Sequence, residues 1–172
     1  QAPQVNAGTN QTINLSENLI KNPSNESELV NGEIANWTEV IGSGWTQAIA
    51  GSNGLPSALQ GNTYFTAGDS ASGELSQDID VSAFASQIAN ATQLFEFRGY
   101  VRSKDESPSD TARIVVEYRN ATDLLASFDS GLVSSANSWQ LVRDLRNAPV
   151  GTTIIRIRLI ATLNSGTRDR KS

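Results

Sequence analysis

The chain is 172 residues long, with a formal net charge of -5 and 38% hydrophobic residues. That is one domain's worth of sequence, since all-β domains run this long undivided. It has no Cys, His or Met, which excludes disulfides, Cys/His zinc sites, Ser-His-Asp triads and haem ligation by those side chains. The acidic balance argues against nucleic acid, whose phosphates need clustered basic surface, and no run approaches the ~20 apolar residues of a membrane-spanning helix.

Asn, Ser, Thr and Gly are abundant and Lys is confined to Lys21, Lys104 and Lys171, a balance that favours extended chain and turns over helix. A start at Gln1 rather than Met fits removal of a leader on export, so a secreted, extracellular or cell-surface protein is expected. The sequons agree: Asn25, Asn36, Asn90 and Asn120 each open an Asn-x-Ser/Thr triplet and are candidate glycosylation sites, as are Asn10 and Asn14.

Residues 1–17 read as an extended arm. Val5, Ala7, Thr9, Gln11, Ile13 and Leu15 fall on one alternating face, with Asn6, Asn10, Thr12 and Asn14 on the other. The same stretch also reads as a leader with no partner of its own. The domain proper is expected over 18–172, opening on Asn18-Leu-Ile-Lys21 and broken by Asn22-Pro23. Trp37–Ile41 and Trp45–Ile49 are predicted as a pair of strands around Gly42-Ser-Gly44. Residues 51–61 are loop, Thr63–Thr66 a short strand, and Gly73–Val81 a longer one with Leu75, Gln77, Ile79 and Val81 on one side. Ser82 is the expected N-cap of one or two helical turns reaching Ile88. Residues 103–110, 121–130 and 147–151 are connections.

The C-terminal third carries the clearest signal. In Gln93–Arg102, Phe95, Phe97 and Val101 share one face while Glu96, Arg98 and Arg102 take the other; Ala112–Arg119 and Ser138–Leu145 are strand-like too. In Thr153–Thr162, Ile155, Ile157, Leu159 and Ala161 oppose Arg156 and Arg158. A period of two means one buried and one wet face, the mark of an antiparallel sheet. Strands at this spacing predict an all-β, two-sheet antiparallel sandwich of jelly-roll type.

The motifs Asn18-Leu-Ile-Lys-Asn-Pro23, Glu28, Gly32-Glu-Ile34 and Trp37 resemble the opening of galactose-binding-like jelly rolls, the carbohydrate-binding-module-type domains of secreted bacterial proteins. Tyr64–Gly68, Gly73–Val81, Trp139, Arg143 and Pro149-Val-Gly151 continue the resemblance across residues 18 to 167. The resemblance implies a closing strand of the type aromatic-Phe-Asp, yet the sequence given passes into Arg168-Asp-Arg-Lys-Ser172 where it would begin. A sheet short of one strand has an open edge, and another chain can fill it. The expectation that follows is head-to-tail assembly into a filament by donor-strand exchange between copies. Val5, Ala7, Ile13 and Leu15 would be the donor and Leu19, Ile20, Ile155, Ile157 and Leu159 the acceptor edge.

The alternative is a carbohydrate-binding module or lectin-like domain, with a polysaccharide or glycan as partner. Such modules stack aromatic rings on sugar faces. Trp45, following a turn, Tyr100, on the polar face of its strand, and Tyr64 are the stacking candidates, whereas Trp37 and Trp139 resemble core positions. The resemblance also implies a structural calcium ion, for which Glu26, Glu28 and Glu33 lie close in sequence without a closing Asp. Acid pairs for hydrolysis would come from Asp78 and Asp80 or from Asp105, Glu106 and Asp110, residue types that more often form solvated turns. The expectation is therefore a non-catalytic protein with no cofactor and no catalytic residues.

Overall fold

The computed structural model describes residues 17–68, 70–103 and 107–164. The strands among them are β1 (Thr38–Ile41), β2 (Thr46–Ile49), β3 (Thr63–Thr66), β4 (Ser72–Asp80) and β5 (Leu94–Val101), then β6 (Thr111–Arg119), β7 (Leu124–Asp129), β8 (Gln140–Asn147) and β9 (Ile154–Thr162). A 3-10 turn at Ser82–Phe84 and a single-turn helix, α1 (Ala85–Ala89), separate β4 from β5. Five strands form an antiparallel sheet in the order β1-β4-β9-β6-β7, while β2 pairs with β3 and β5 with β8. The expected all-β sandwich is what the chain builds.

Its core follows from the alternation. Leu75, Gln77 and Ile79 of β4 lie opposite Leu159, Ile157 and Ile155 of β9. Across the other side of β9, the same three residues face Ile114, Val116 and Tyr118 of β6. Opposed residues of an antiparallel pair share a face, so one face of the sheet becomes a nearly continuous apolar layer. Leu75, Val116 and Ile157 are fully buried there, each contributing about 1.5–3 kcal/mol relative to exposure.

The β5–β8 ribbon covers this layer with Phe97, Val101 and Val142. Gly99 allows the close approach, because a Cβ there would stand 3.0 Å from Ile114 Cδ1 and 2.8 Å from Phe97 Cζ. Polar groups also cross the interior. The buried Tyr118 hydroxyl donates to Asp144 Oδ2 of β8 at 3.0 Å. Arg146 Nε donates to Asp144 Oδ1 at 2.9 Å, and its guanidinium lies 5.3 Å from the centre of the Tyr118 ring. The carboxylate is thereby paired rather than stranded, the condition under which a buried charge is tolerated.

Several expectations are corrected. Ile155, Ile157 and Leu159 belong to a central strand: β9 pairs with β4 on one side and β6 on the other, so these residues form no acceptor edge. Leu19 and Ile20 are half-buried coil packed on the core, not edge strand. The chain stays irregular there because side chains take its backbone groups. The Lys21 N–H donates to Gln77 Oε1 at 2.8 Å, and Trp37 Nε1 donates to the Lys21 carbonyl at 3.2 Å. The donor residues Val5, Ala7, Ile13 and Leu15 lie outside the described residues. β1 and β2 do not pair with each other, since β1 joins β4 and β2 joins β3. Residues 121–130 hold a strand, β7, rather than a plain connection. Ser82 is not a cap; its N–H donates instead to Asp80 Oδ1 at 2.8 Å.

The outer face of the five-stranded sheet is a lattice of charges. Arg158 grips Glu74 through two bonds of 2.7 Å and reaches Glu117 at 3.0 Å. Arg119 also binds Glu117, Arg156 holds Asp78, and Arg113 holds Asp129. Four guanidiniums thus meet four carboxylates. These hydrogen bonds push the Arg158 pKa further up and hold the Asp78 carboxyl below the usual range.

Candidate functional site

The candidate site lies where two connections meet beside the end of β5. The β2–β3 connection, residues 50–62, is shaped by Gly51 in the left-handed conformation at φ 71°, a region open to Gly at little cost. Its chain folds back on itself, with the Gly51 N–H donating to the Pro56 carbonyl at 3.2 Å. The β7–β8 connection, residues 130–139, is tied to the end of β5. The Ser103 N–H donates to the Ser135 carbonyl at 2.8 Å, and Arg102 Nε donates to the Ala136 carbonyl at 3.1 Å. The Gln140 side-chain amide then donates to Ser138 Oγ at 2.9 Å.

Trp139 joins the two connections. Its indole N–H donates to the Ser57 carbonyl at 3.0 Å, 82 residues away in sequence. Its ring meets Tyr64 of β3 edge to face, with centroids 5.3 Å apart and planes at 76°. Such a pair uses one of its four ring faces for the contact, and both residues are half-exposed. Burial pushes the Tyr64 phenol above the usual tyrosine range while the charge of Arg102 pulls against it. The Tyr64 hydroxyl is buried and has no hydrogen-bond partner among the described residues. Two aromatic rings, a guanidinium and exposed amides in side-chain-rich loops are the chemistry of sugar contact.

The three stacking candidates take different places. Trp45 is 7% exposed and belongs to the core, a correction of the expectation that it faces solvent. The turn before it is itself packed: a Cβ on Gly68 would lie 2.5 Å from the Gly44 carbonyl oxygen, and one on Gly73 would lie 2.9 Å from Trp45 Nε1. Tyr64 stands at the site. Tyr100 is exposed on the outer face of β5, opposite Leu141. Trp37 is core, as expected, in edge contact with Phe65 at 5.2 Å. Trp139 is half-exposed rather than core. Its position had a readable signal: two places before Leu141 and four before Arg143, it keeps the parity of the wet face.

The remaining candidates are engaged elsewhere. Asn25 is fully buried and donates to the Thr46 carbonyl at 3.3 Å, so it cannot accept a glycan in the folded state. Asn36 and Asn90 are exposed, and Asn120 is bound up in its own turn with Thr122 and Asp123. Glu26 accepts from the backbone N–H groups of Asn62 and Thr63, each at 2.9 Å, which holds its carboxyl below the usual range. Among the described residues no three acidic groups converge as metal ligands. Asp80 caps the turn at Ser82, and Asp110 accepts from the Asn164 N–H at 2.7 Å. Asp105 and Glu106 lie outside the described residues.

No protein-family model and no curated protein matches the sequence. Solved structures do match in three dimensions. One is TmCBM61 in complex with β-1,4-galactotriose, 18% identical with a TM-score of 0.52 over 86% of this chain and 89% of that one. Another is the enzymatically active domain of tailspike protein 4 from bacteriophage CBA120, 16% identical with a TM-score of 0.55. That match covers 84% of this chain and 19% of the tailspike chain, so the present chain spans about a fifth of it. What this chain shares with both is the fold, a β-jelly roll of the carbohydrate-binding-module type.

Proposed function

We propose that this domain is a non-catalytic carbohydrate-binding module of a secreted or surface protein, and that it holds a glycan at the Tyr64–Trp139 end of the sandwich. The observation that carries the reading is the Trp139 ring, fixed by its bonds to Ser57 and Tyr64 yet half-exposed. Trp139 is the stacking platform, the exposed Gln140 side chain is the hydroxyl contact, and Arg102 sets the polarity of the floor. The likeness in fold to a domain solved with β-1,4-galactotriose supports the choice of ligand class.

The test is thermal unfolding and calorimetric titration of the purified domain against a panel of plant and bacterial polysaccharides. A bound glycan at 100 times its Kd stabilises the fold by about 2.7 kcal/mol, which for a domain of this size raises Tm by about 5–11 °C. Binding that survives Trp139→Ala but disappears in a folded Trp45→Phe protein would overturn the assignment.

A further inference from the structure

We infer that the outer face of the β5–β8 ribbon is a binding strip for an acidic polysaccharide, one whose sugar units carry carboxylates. The inference rests on the reading above that the adjoining Trp139 end holds a glycan. The strip begins there: Arg102 follows β5 and Trp139 precedes β8, and Tyr100 pairs with Leu141 immediately behind them. From Val101 back to Leu94 the ribbon runs seven residue steps, about 24 Å. Tyr100, Leu141, Leu145 and Leu94 expose 44%, 51%, 47% and 53% of their surface along it. A partly apolar track of this length suits an extended chain lying on it better than a single sugar.

Charge selects the class of chain. On the five-stranded sheet each guanidinium is matched by its own share of carboxylate. The ribbon is different. Arg98 lies opposite Arg143, and both Nε groups donate to one oxygen, Glu96 Oε1, at 2.8 and 2.6 Å. Like charges directly opposed on a strand pair are unfavourable unless something between them or above them compensates. One carboxylate for two guanidiniums leaves a surplus of one positive charge, and Arg102 adds another, on a chain whose net charge is -5. The Nη groups of Arg98 and Arg143 have no hydrogen-bond partner among the described residues. Glu96 takes only the Nε donors of these two exposed side chains, and the Nη pair of a guanidinium recognises a carboxylate through paired hydrogen bonds. A uronic acid carboxylate stepping along the strip past Tyr100 would meet both.

The experiment compares binding of polygalacturonate and of neutral β-1,4-galactan to the full chain, at low and at raised salt. The expected result is tighter binding of the acidic chain, weakened as salt shortens the screening length. In an Arg98→Gln/Arg143→Gln protein the preference for the acidic chain falls by about 10- to 150-fold, the range for hydrogen bonds to charged groups. Glu96→Gln provides a gain-of-affinity check that misfolding cannot imitate, because removing the negative charge raises the surplus and should tighten the acidic chain further. Equal, salt-insensitive binding of both polymers overturns the strip while leaving the carbohydrate-binding reading intact. Loss of acidic-chain binding in Glu96→Gln also overturns the strip. Binding of neither polymer, nor of any glycan in the panel, overturns both.

Discussion

Trp45 and Trp139 exchange the roles their sequence contexts indicate, and substituting each with Ala separates stability from recognition. Trp45 is 7% exposed and its indole packs over Gly73. Truncating a core Trp to Ala costs about 3–5 kcal/mol, a large share of the 5–15 kcal/mol typical of a domain. At about 2–4 °C per kcal/mol for this chain length, Tm falls by about 6–20 °C. Trp139→Ala removes one edge-to-face pair, worth about 0.5–1.5 kcal/mol, and one hydrogen bond, worth about 0.5–1.5 kcal/mol. The Ser57 carbonyl it leaves sits on an exposed residue, where water takes the vacated place, and the half-buried ring forfeits less apolar contact than Trp45 does, so Tm drops by less than in Trp45→Ala. Affinity behaves oppositely: losing an aromatic anchor costs about 2 kcal/mol or more, about 30-fold in Kd. Scanning calorimetry and titration with the best ligand of the panel measure both quantities on the same proteins. A folded Trp139→Ala protein with a Kd within two- or threefold of the parent's would refute the reasoning, because the ring would then be structural.

Three further outcomes follow from the geometry. Gly99→Ala drives a methyl against the Phe97 ring and Ile114 Cδ1, so urea unfolding should show a loss of about 1–3 kcal/mol from overpacking. Burial and the neighbouring Asp144 carboxylate push the Tyr118 phenol well above the usual tyrosine range. Its stabilising share is complete below the unfolded-state pKa of about 10 and is lost as pH rises beyond it, so Tyr118→Phe should flatten the alkaline limb of a denaturation-versus-pH curve. Arg113 and the Gly131 N–H hold Asp129 at about 2. That contribution is present above the unfolded-state pKa of about 3.9 and disappears as pH falls towards 2, and Asp129→Asn should remove this part of the acid slope in urea midpoints; an unaltered slope contradicts the pairing.

Legibility in the sequence tracks how one-sided each strand's burial is. β4, β5 and β9 put apolar residues on one face and charges on the other, so a period of two locates them within a residue or two. β7 was invisible because it is an edge strand whose residues are exposed or only half-buried, leaving no clean alternation between Leu124 and Asp129. The opening segment differs for another reason: Leu19 and Ile20 are apolar, but the Ile20 N–H donates to Asn18 Oδ1 and the Lys21 backbone bonds the side chains of Gln77 and Trp37 rather than a neighbouring strand, and the Gln77 contact across 56 residues leaves no local trace. Trp45 is misread from its turn alone, and Trp139 from the resemblance of its position to a core one. Gly42-Ser-Gly44 is exposed, as its sequence suggests, but it lies against the chain at Ser72, where a Cβ at Gly42 would sit 2.6 Å from the carbonyl oxygen, and the chain turns Trp45 inward from there. The pairing of Tyr64 with Trp139 joins residues 75 apart and exists only once both connections close.

The edges of the five-stranded sheet bear on how the molecule meets others. β1 is four residues long, its register with β4 slips between Glu39 and Ile41, and Glu39 lies opposite Leu75, on the core-facing side. A short, bulged strand with an inward carboxylate is a poor template for further pairing. At the opposite edge, Arg146 reaches from β8 to donate to the Ser127 carbonyl of β7 at 3.2 Å, so a side chain occupies an acceptor that a docking strand would need. Central β9, where an acceptor groove was expected, is already bonded along both sides from Ile154 to Thr162. Strand addition at β9 would have to displace bonds already made. The ribbon carries the opposite features, with Tyr100 exposed and the Arg98 and Arg143 guanidiniums about half exposed, and the recognition proposed there works through side chains and leaves the strand pairing as it is.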